Sequence, residues 1–401
     1  MAASRSRSCT LCTASDPWRP RVSHAGRNPA AWSTRVPCRA GRSTPRGPAM
    51  AFRAWPRSRR GRAAPEPRRG AASRPIRRGR KWTALQEIDA LQTKNRRRRR
   101  PRIEERLVQL RLDGLAELDR SSGPRDWPPG TADPFTETRW PPEVSRDELT
   151  LEALQGGIFH HGCLLVRGLL DRQQVDHLVS VTNQAFEGFH AYVRGDPPSV
   201  TTPWYVPRRT EVTDNERVWC RDGGGVLAVE SPRGLFEIIE TFEQVGIGSL
   251  VTQCLGERPT LLARKWLLRC VPPGIDSEWH QDGAFMGEDI RTVNVWLPLS
   301  ACGGELEAPG LDIVARRLDH VVTTGTDGAR LDWTVGPGMV ERVAQGRVAR
   351  PTFGAGDALL FDHLFLHRTD QRPQATKNRY AIEAWFAAPS SYPPKELPIV
   401  Y

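Results

Sequence analysis

Two hydrophobic periodicities divide the chain. Between residues 103 and 255 apolar positions recur at helical spacing, and from Thr260 onward they gather into short strand-like runs. Leu107, Leu110, Leu115 and Leu118 predict a helix over 103–118. Ser145-x-x-Glu148 is a capping box that predicts a helix to about Leu154. Cys163–Val166 reads as a strand, and Asp171 caps a helix to about Phe189 with Val175, Leu178, Val179 and Phe186 turned inward. Ser231-Pro232 places a cap before a first-turn proline, and Leu235, Ile238, Ile239 and Phe242 form the apolar face that follows. Leu250–Leu255 adds another helical turn or two.

The second half reads differently. Leu261–Cys270, Ser277–Asp282 and Thr292–Leu299 are predicted strands. Ala358–Leu366 is another, opened by the Gly356-Asp357 turn, and a further strand starts at Arg379. Helix signals are otherwise absent there, which predicts a mainly β sandwich or barrel with helices flanking it on the N-terminal side. Residues 127–144 are a Trp/Pro-rich linker and 312–350 an insertion-like stretch. Residues 191–230 are polar and loop-rich; their Trp204, Tyr205 and Trp219 suit either a pocket wall or an ordinary core.

Charge separates an N-terminal extension from this domain. Residues 1–100 hold 27 lysines and arginines against 4 acidic residues, while the other 301 residues hold 31 against 42. Arg, Pro, Ser, Gly and Ala dominate the extension, so residues 1–102 are predicted to be disordered, for lack of apolar surface to offset ordering entropy. Three readings of it stay open. Arg96–Arg100 suits phosphate backbones or a nuclear-type address; the Arg/Ser-rich start resembles a transit peptide; or the stretch has no selected function. The third draws on 53 arginines against 5 lysines, the bias of GC-rich codons, and on Met50 as an internal start candidate. No run of eighteen apolar residues and no secretory h-region occurs, which predicts neither a membrane span nor export. The 8 cysteines are scattered and read as free core thiols in a reducing, cytoplasmic setting. His160 and His161, just before a strand, read as structural or surface residues.

The chemistry gathers in two stretches, Ser277-Glu278-Trp279-His280-Gln281-Asp282-Gly283 and Phe361-Asp362-His363-Leu364-Phe365-Leu366-His367-Arg368-Thr369. On a strand His280 and Asp282 would share a face, and a second imidazole from the later stretch would complete the two-histidine, one-carboxylate set suited to non-haem Fe(II) and oxygen. Both His363 and His367 are candidates, since residues four apart on a strand share a face. A hairpin folded near Pro373 would set His367 opposite Arg379 and bring a guanidinium into the metal cavity. A buried arginine there awaits either an anionic cosubstrate or a structural carboxylate.

These motifs resemble the phytanoyl-CoA dioxygenases. The matching pieces are Trp279-His280-Gln281-Asp282, the strand Val293–Leu299, Gly356–His363, His367-Arg368-Thr369 and Arg379, spread over about 145–390. The resemblance implies a double-stranded β-helix (jelly-roll, cupin-like) domain over 145–401, behind a helix and linker at 103–144. It implies Fe(II) on His280, Asp282 and His367, with 2-oxoglutarate bound through Arg379 and Thr369, and O2 consumed to hydroxylate a small organic substrate with release of succinate and CO2. It selects His367 over His363, because the family ligand stands in a His-x-Ser/Thr motif. Asp282 favours hydroxylation, since halogenating members lack that carboxylate. Two departures stand out. The family's Pro-Gly-Ser-His turn reads Pro309-Gly310-Leu311-Asp312, and Arg264 and Lys265 match only loosely its polar cosubstrate contacts. Alternatives are a cupin-like metal enzyme without 2-oxoglutarate, an inactive binding protein on the same scaffold, and nucleic-acid binding through the basic extension. Substrate identity and oligomeric state are not encoded in any motif found.

Overall fold

The computed structural model describes residues 82–118, 127–136, 140–275, 277–314, 316–370 and 372–401. In chain order the elements are α1 (Ala84–Arg97), α2 (Pro101–Asp113), β1 (Glu143–Ser145), α3 (Leu151–His161), β2 (Cys163–Arg167), α4 (Arg172–Val193), α5 (Pro198–Thr201) and α6 (Asp214–Asp222). Then come β3 (Gly225–Leu227), α7 (Pro232–Gln244), α8 (Ile247–Leu255), β4 (Thr260–Leu262), β5 (Leu267–Val271), α9 (Gly283–Met286), β6 (Thr292–Pro298), β7 (Cys302–Gly303) and β8 (Leu311–Val314). The chain ends with α10 (Pro337–Ala344), β9 (Val348–Ala349), β10 (Thr352–Phe353), β11 (Ala358–Phe361), β12 (His367–Thr369), β13 (Arg379–Ala387) and β14 (Pro398–Val400).

Among the described residues nine strands form one sheet with the order β1-β2-β11-β6-β13-β4-β14, while β5 also pairs with β13 and carries β3. A three-stranded sheet, β12-β8-β9, holds the second histidine, and β7 pairs with β10. Alternation along β6 divides the interior. Val293, Val295 and Leu297 join β13's Ile382, Ala384 and Phe386 against the helices. Trp296 and Trp385 lie on the opposite face, in a second core with Phe361, Phe365, Leu311 and Ile313 that joins the large sheet to the small one. The described domain is therefore mixed and sheet-rich, not mainly β as expected, because the helices supply one whole wall of the core.

Local signals explain the helices. Asp171 and Gln174 form the capping box of α4, and α7 starts at Pro232 as expected, although Ser231 makes no capping bond. The Ser145/Glu148 box also forms, but it closes only a single 3-10 turn, and Thr150 caps the longer α3. His160 and His161 end that helix on Thr131 O and Asp133, each at 2.9 Å, so they are structural as expected. Of the extension predicted to be disordered, residues 1–81 lie outside the described residues, but Ala84–Arg97 is a helix. Its Ile88 is fully buried with Leu107, Leu110 and Phe236. Arg99 pairs with Glu237 at 2.5 Å and Arg96 with Glu240, so two arginines of the basic run tie the helix to α7. Composition hid the helix, since arginine is both a good helix former and a component of disordered tails.

Three predicted strands are corrected. Leu261–Cys270 breaks into β4 and β5, because Lys265 and Trp266 turn back to donate to Leu262 O at 2.9 and 3.0 Å. Ala358–Leu366 ends at Phe361: the Asp362 carboxylate accepts the Leu364 N–H at 3.0 Å and turns the chain out of the large sheet. Ser277–Asp282 is extended only as far as one bridge at His280. Among the described residues no helix is long and apolar enough to cross a membrane. Cys163, Cys220, Cys254, Cys270 and Cys302 are free thiols, as expected.

Candidate metal centre

His280 meets His367 in an isolated antiparallel bridge, with backbone N–H···O distances of 3.0 and 3.1 Å in the two directions. The chain then turns. Asp282 adopts helical dihedrals (φ −64°, ψ −25°) and its carbonyl accepts from Met286 N at 2.9 Å, opening α9. The same-face strand argument is therefore wrong for Asp282, yet the turn returns its carboxylate to the two imidazoles. One ligand atom from each of His280, Asp282 and His367 lies within 4.8 Å of the others. Gly283 makes the turn sterically allowed, since a Cβ there would stand 2.8 Å from Val321 Cγ2 and 3.2 Å from His363 O.

Gln281, between the two ligands, points the other way and is fully buried. Its amide donates to His320 O (3.0 Å) and Leu364 O (2.6 Å) and accepts from Val322 N (2.8 Å). It pins the ligand segment to both flanking loops. Sequence reading missed it, although a polar residue between two ligand candidates is the signal to look for.

The hydrogen bonds set the imidazole tautomers. Nδ1 of His280 lies 2.8 Å from Glu278 O, and Nδ1 of His367 lies 3.0 Å from Phe365 O. A carbonyl only accepts, so each Nδ1 carries the proton and each Nε2 presents a lone pair. Burial, with His280 nearby, holds His367 neutral down to about 3. Burial also raises the Asp282 carboxyl to about 6, against the opposing pull of His280 and Lys265. Two imidazole nitrogens and a carboxylate oxygen on one side form a donor set that suits a divalent transition metal with open positions.

His363 is excluded from this set. Its Nε2 donates to Glu288 O at 2.9 Å and its Nδ1 accepts from the Thr292 hydroxyl at 3.1 Å, so both nitrogens are engaged. It holds the turn where the chain crosses between sheets.

Arg379 opens β13 and has no exposed surface. The expected hairpin is not formed: β12 pairs with β8, and β13 pairs with β5 and β6, so His367 and Arg379 belong to different sheets. They are nonetheless linked. Gly310 O accepts from Arg379 Nη1 at 2.9 Å and from Asp370 N at 3.1 Å, and Asp370 follows Thr369 on the histidine-bearing strand. Thr369 is buried, and its N–H donates to Ser277 Oγ at 3.2 Å, back at the start of the ligand segment. Arg379 Nη1 also donates to Pro309 O at 3.1 Å, and the Trp296 ring lies 5.3 Å from the guanidinium. Nε and Nη2 have no partner, and no carboxylate pairs with them among the described residues. Burial lowers this guanidinium to about 10. On the same inner face the Trp296 indole N–H and Asn294 Oδ1 are also buried without partners. Buried polar groups cost roughly 1–3 kcal/mol each when unpaired, so three residues sharing the defect on one face mark a place built for a polar guest.

Of the loosely matching pair, Arg264 is occupied structurally, 3.2 Å from Glu216, whereas Lys265 leans on the Phe285 ring. The loop aromatics divide: Tyr205 is core and donates to Glu230 at 2.8 Å, while Trp219 is exposed. The insertion-like stretch folds over the ligand segment. Val335 N donates to Trp279 O at 2.8 Å, Leu318, Val322 and Val340 pack with Trp279, and Trp333 sits 5.8 Å from the His280 ring.

No family model matches the chain, and no curated protein matches it. Among solved structures, EctD from S. alaskensis with 2-oxoglutarate and 5-hydroxyectoine is 13% identical, covering 64% of this chain and 82% of that one at a TM-score of 0.40. AviO1 from Streptomyces viridochromogenes Tue57 is 15% identical over 61% of this chain and 96% of that one (TM-score 0.37). SnoK, a non-haem α-ketoglutarate-dependent carbocyclase from nogalamycin biosynthesis, is 12% identical over 61% and 86% (TM-score 0.37). Likeness at that level assigns no activity to this chain.

Proposed function

We propose that the chain is an Fe(II)- and 2-oxoglutarate-dependent oxygenase with a jelly-roll core, hydroxylating a small organic substrate. The observation that carries the reading is the pairing of a two-histidine, one-carboxylate cluster with a buried guanidinium that lacks an anion. His280 and His367 offer Nε2 lone pairs, and Asp282 supplies a carboxylate oxygen. Bound there, ferrous iron supplies the O2 chemistry that converts 2-oxoglutarate to succinate and CO2 and inserts oxygen into a substrate C–H bond.

The protein's own work is positioning. The Nδ1–H bonds to Glu278 O and Phe365 O hold both rings in the ligating tautomer. Arg379 receives the far carboxylate of 2-oxoglutarate through Nε and Nη2, a bidentate match for a planar guanidinium, with the Thr369 hydroxyl assisting. Phe361 and Phe365, 5.0 and 5.8 Å from the His367 ring, keep bulk water off the second imidazole. The test is succinate formation from 2-oxoglutarate by the iron-loaded chain, with bound iron measured in parallel. Native protein is expected to form succinate and retain iron, and His280→Ala and Asp282→Ala to do neither. Metal retention without any succinate in native protein would transfer the site to a metal enzyme independent of 2-oxoglutarate. Unchanged succinate in either variant would overturn the ligand assignment.

A further inference from the structure

Beside the triad, on the side of Asp282 and α9, stands a cation that forms no ion pair among the described residues. Lys265 lies in the turn between β4 and β5, partly buried. Its ammonium is 4.1 Å from the Phe285 ring centroid and 5.2 Å from that of Trp219. Phe285 meets Trp333 edge-on at 5.6 Å, and Trp333 meets His280 edge-on at 5.8 Å. A continuous aromatic wall thus runs from the lysine to a ligand imidazole. It is assembled from three distant segments: Trp219 on α6, Phe285 on α9 and Trp333 from the stretch between β8 and β9.

Two features make this wall unlike core packing. Trp219 is 56% exposed and Trp333 37% exposed, though both are large and apolar. Lys265 pairs with no carboxylate among the described residues, whereas its neighbour Arg264 is held by Glu216. Asp282, the acid on this side, belongs to the metal cluster, and Glu383 pairs with Arg269 at 3.1 Å. An ammonium resting on aromatic faces is partly dehydrated and retains three donors that the rings satisfy only weakly.

We propose that this mouth binds the oxidised substrate, and that the substrate is a small organic anion: a carboxylate or phosphate received by Lys265, carried on a flat or apolar body lying against Phe285 and Trp333. Calling that anion the substrate rests on the oxygenase reading; the anion site itself does not. Lys265 and Arg379 then sort two anions. The guanidinium on the inner face beside Trp296 takes the cosubstrate, and the ammonium at the mouth takes the molecule to be oxidised. Phe285 and Trp333 set how deep that body sits, and Lys265 sets which end stays outside.

The test uses the full chain loaded with Mn(II) and saturating 2-oxoglutarate, without oxygen, titrated calorimetrically with 3-phenylpropionate and with its neutral counterpart 3-phenylpropanamide. Native protein is expected to bind the acid about tenfold more tightly than the amide, as a charged hydrogen bond allows. Lys265→Gln is expected to bring the ratio near one and Lys265→Arg to keep most of it, both with unchanged affinity for 2-oxoglutarate. Trp333→Ala is expected to weaken acid and amide equally. An unchanged ratio in Lys265→Gln, an amide bound as tightly as the acid by native protein, no binding of either probe, or weakened 2-oxoglutarate in Lys265→Gln would overturn the proposal. The same pair titrated into Arg379→Met without metal or cosubstrate separates the two readings. A preference that persists there and disappears with Lys265→Gln supports the anion site even where the oxygenase reading fails.

Discussion

The buried arginines of the helical wall and the one on the inner sheet face are treated in opposite ways. In the helical part the buried Arg217 pairs with the buried Glu230 at 2.7 Å, and the partly buried Arg233 pairs with the fully buried Glu104 at 2.5 Å. Arg111 lacks a carboxylate, but it donates to Val400 O at 2.7 Å and Gln92 Oε1 at 3.1 Å and leaves no buried nitrogen unpartnered. Arg379 is buried as deeply, and its guanidinium is lowered to about 10 like that of Arg111, yet two of its nitrogens are orphaned. Burial and a lowered pKa are common to both arginines, so neither marks a binding site. What sets Arg379 apart from Arg111 is its two unpartnered nitrogens, on the sheet face that also carries the unpartnered Trp296 indole N–H and Asn294 Oδ1.

Substitutions sharpen that contrast. Arg217→Met leaves Glu230 buried without its cation and is expected to cost about 3–5 kcal/mol of stability in denaturant unfolding. Arg379→Met removes a charge that the folded chain does not satisfy. It is expected to leave stability unchanged or raised by about 1 kcal/mol, while raising the 2-oxoglutarate requirement about tenfold or more in succinate assays. If Arg379→Met unfolds the protein as Arg217→Met does, the distinction collapses.

Acidification gives the next effect. Metal binding needs the Asp282 carboxylate ionised, and its folded pKa is raised from 3.8 to about 6 while His367 stays neutral down to about 3. Metal affinity is therefore expected to fall about tenfold per pH unit below 6, and Asp282→Asn to abolish that slope, in Mn(II) titrations between pH 7 and 5. The sign for stability runs two ways in the metal-free protein. A raised carboxyl removes stability as pH rises from 3.8 to about 6, and a lowered imidazole adds it between about 3 and 6.5. The two oppose each other, so unfolding is a poor readout there and metal affinity a good one. The smallest effect belongs to Arg172→Ala, whose partner Asp176 stands one helical turn on; with side chains 87% and 60% exposed, a change within about 0.5 kcal/mol is expected.

Much of the helical half was legible because caps and apolar faces are local. Asp171 with Gln174, and Pro232 followed by Leu235, Ile238 and Ile239, specify their helices from a few neighbouring residues. The strands were legible as apolar runs but not in their breaks. Ala358–Leu366 is apolar throughout except at Asp362 and His363, and those two residues are where the chain changes sheets. The break at Arg264-Lys265 falls between two apolar runs, and the hydrogen bonds that make it a turn return to Leu262 O, which residue pattern alone does not show.

The residue types of the site and their order along the chain were written in the primary structure: an imidazole, a carboxylate, a second imidazole, then an arginine after a loop. Their convergence was not. Asp282 reaches the imidazoles through a helical turn rather than strand alternation, and Arg379 reaches the histidine strand through Gly310 rather than a hairpin. The choice between His363 and His367 also depended on partners more than sixty residues away in the chain, Thr292 and Glu288, that occupy one ring and spare the other. Donor chemistry is a property of each residue alone. Whether a donor is already satisfied depends on what the folded chain brings beside it, and only the tertiary structure decides that.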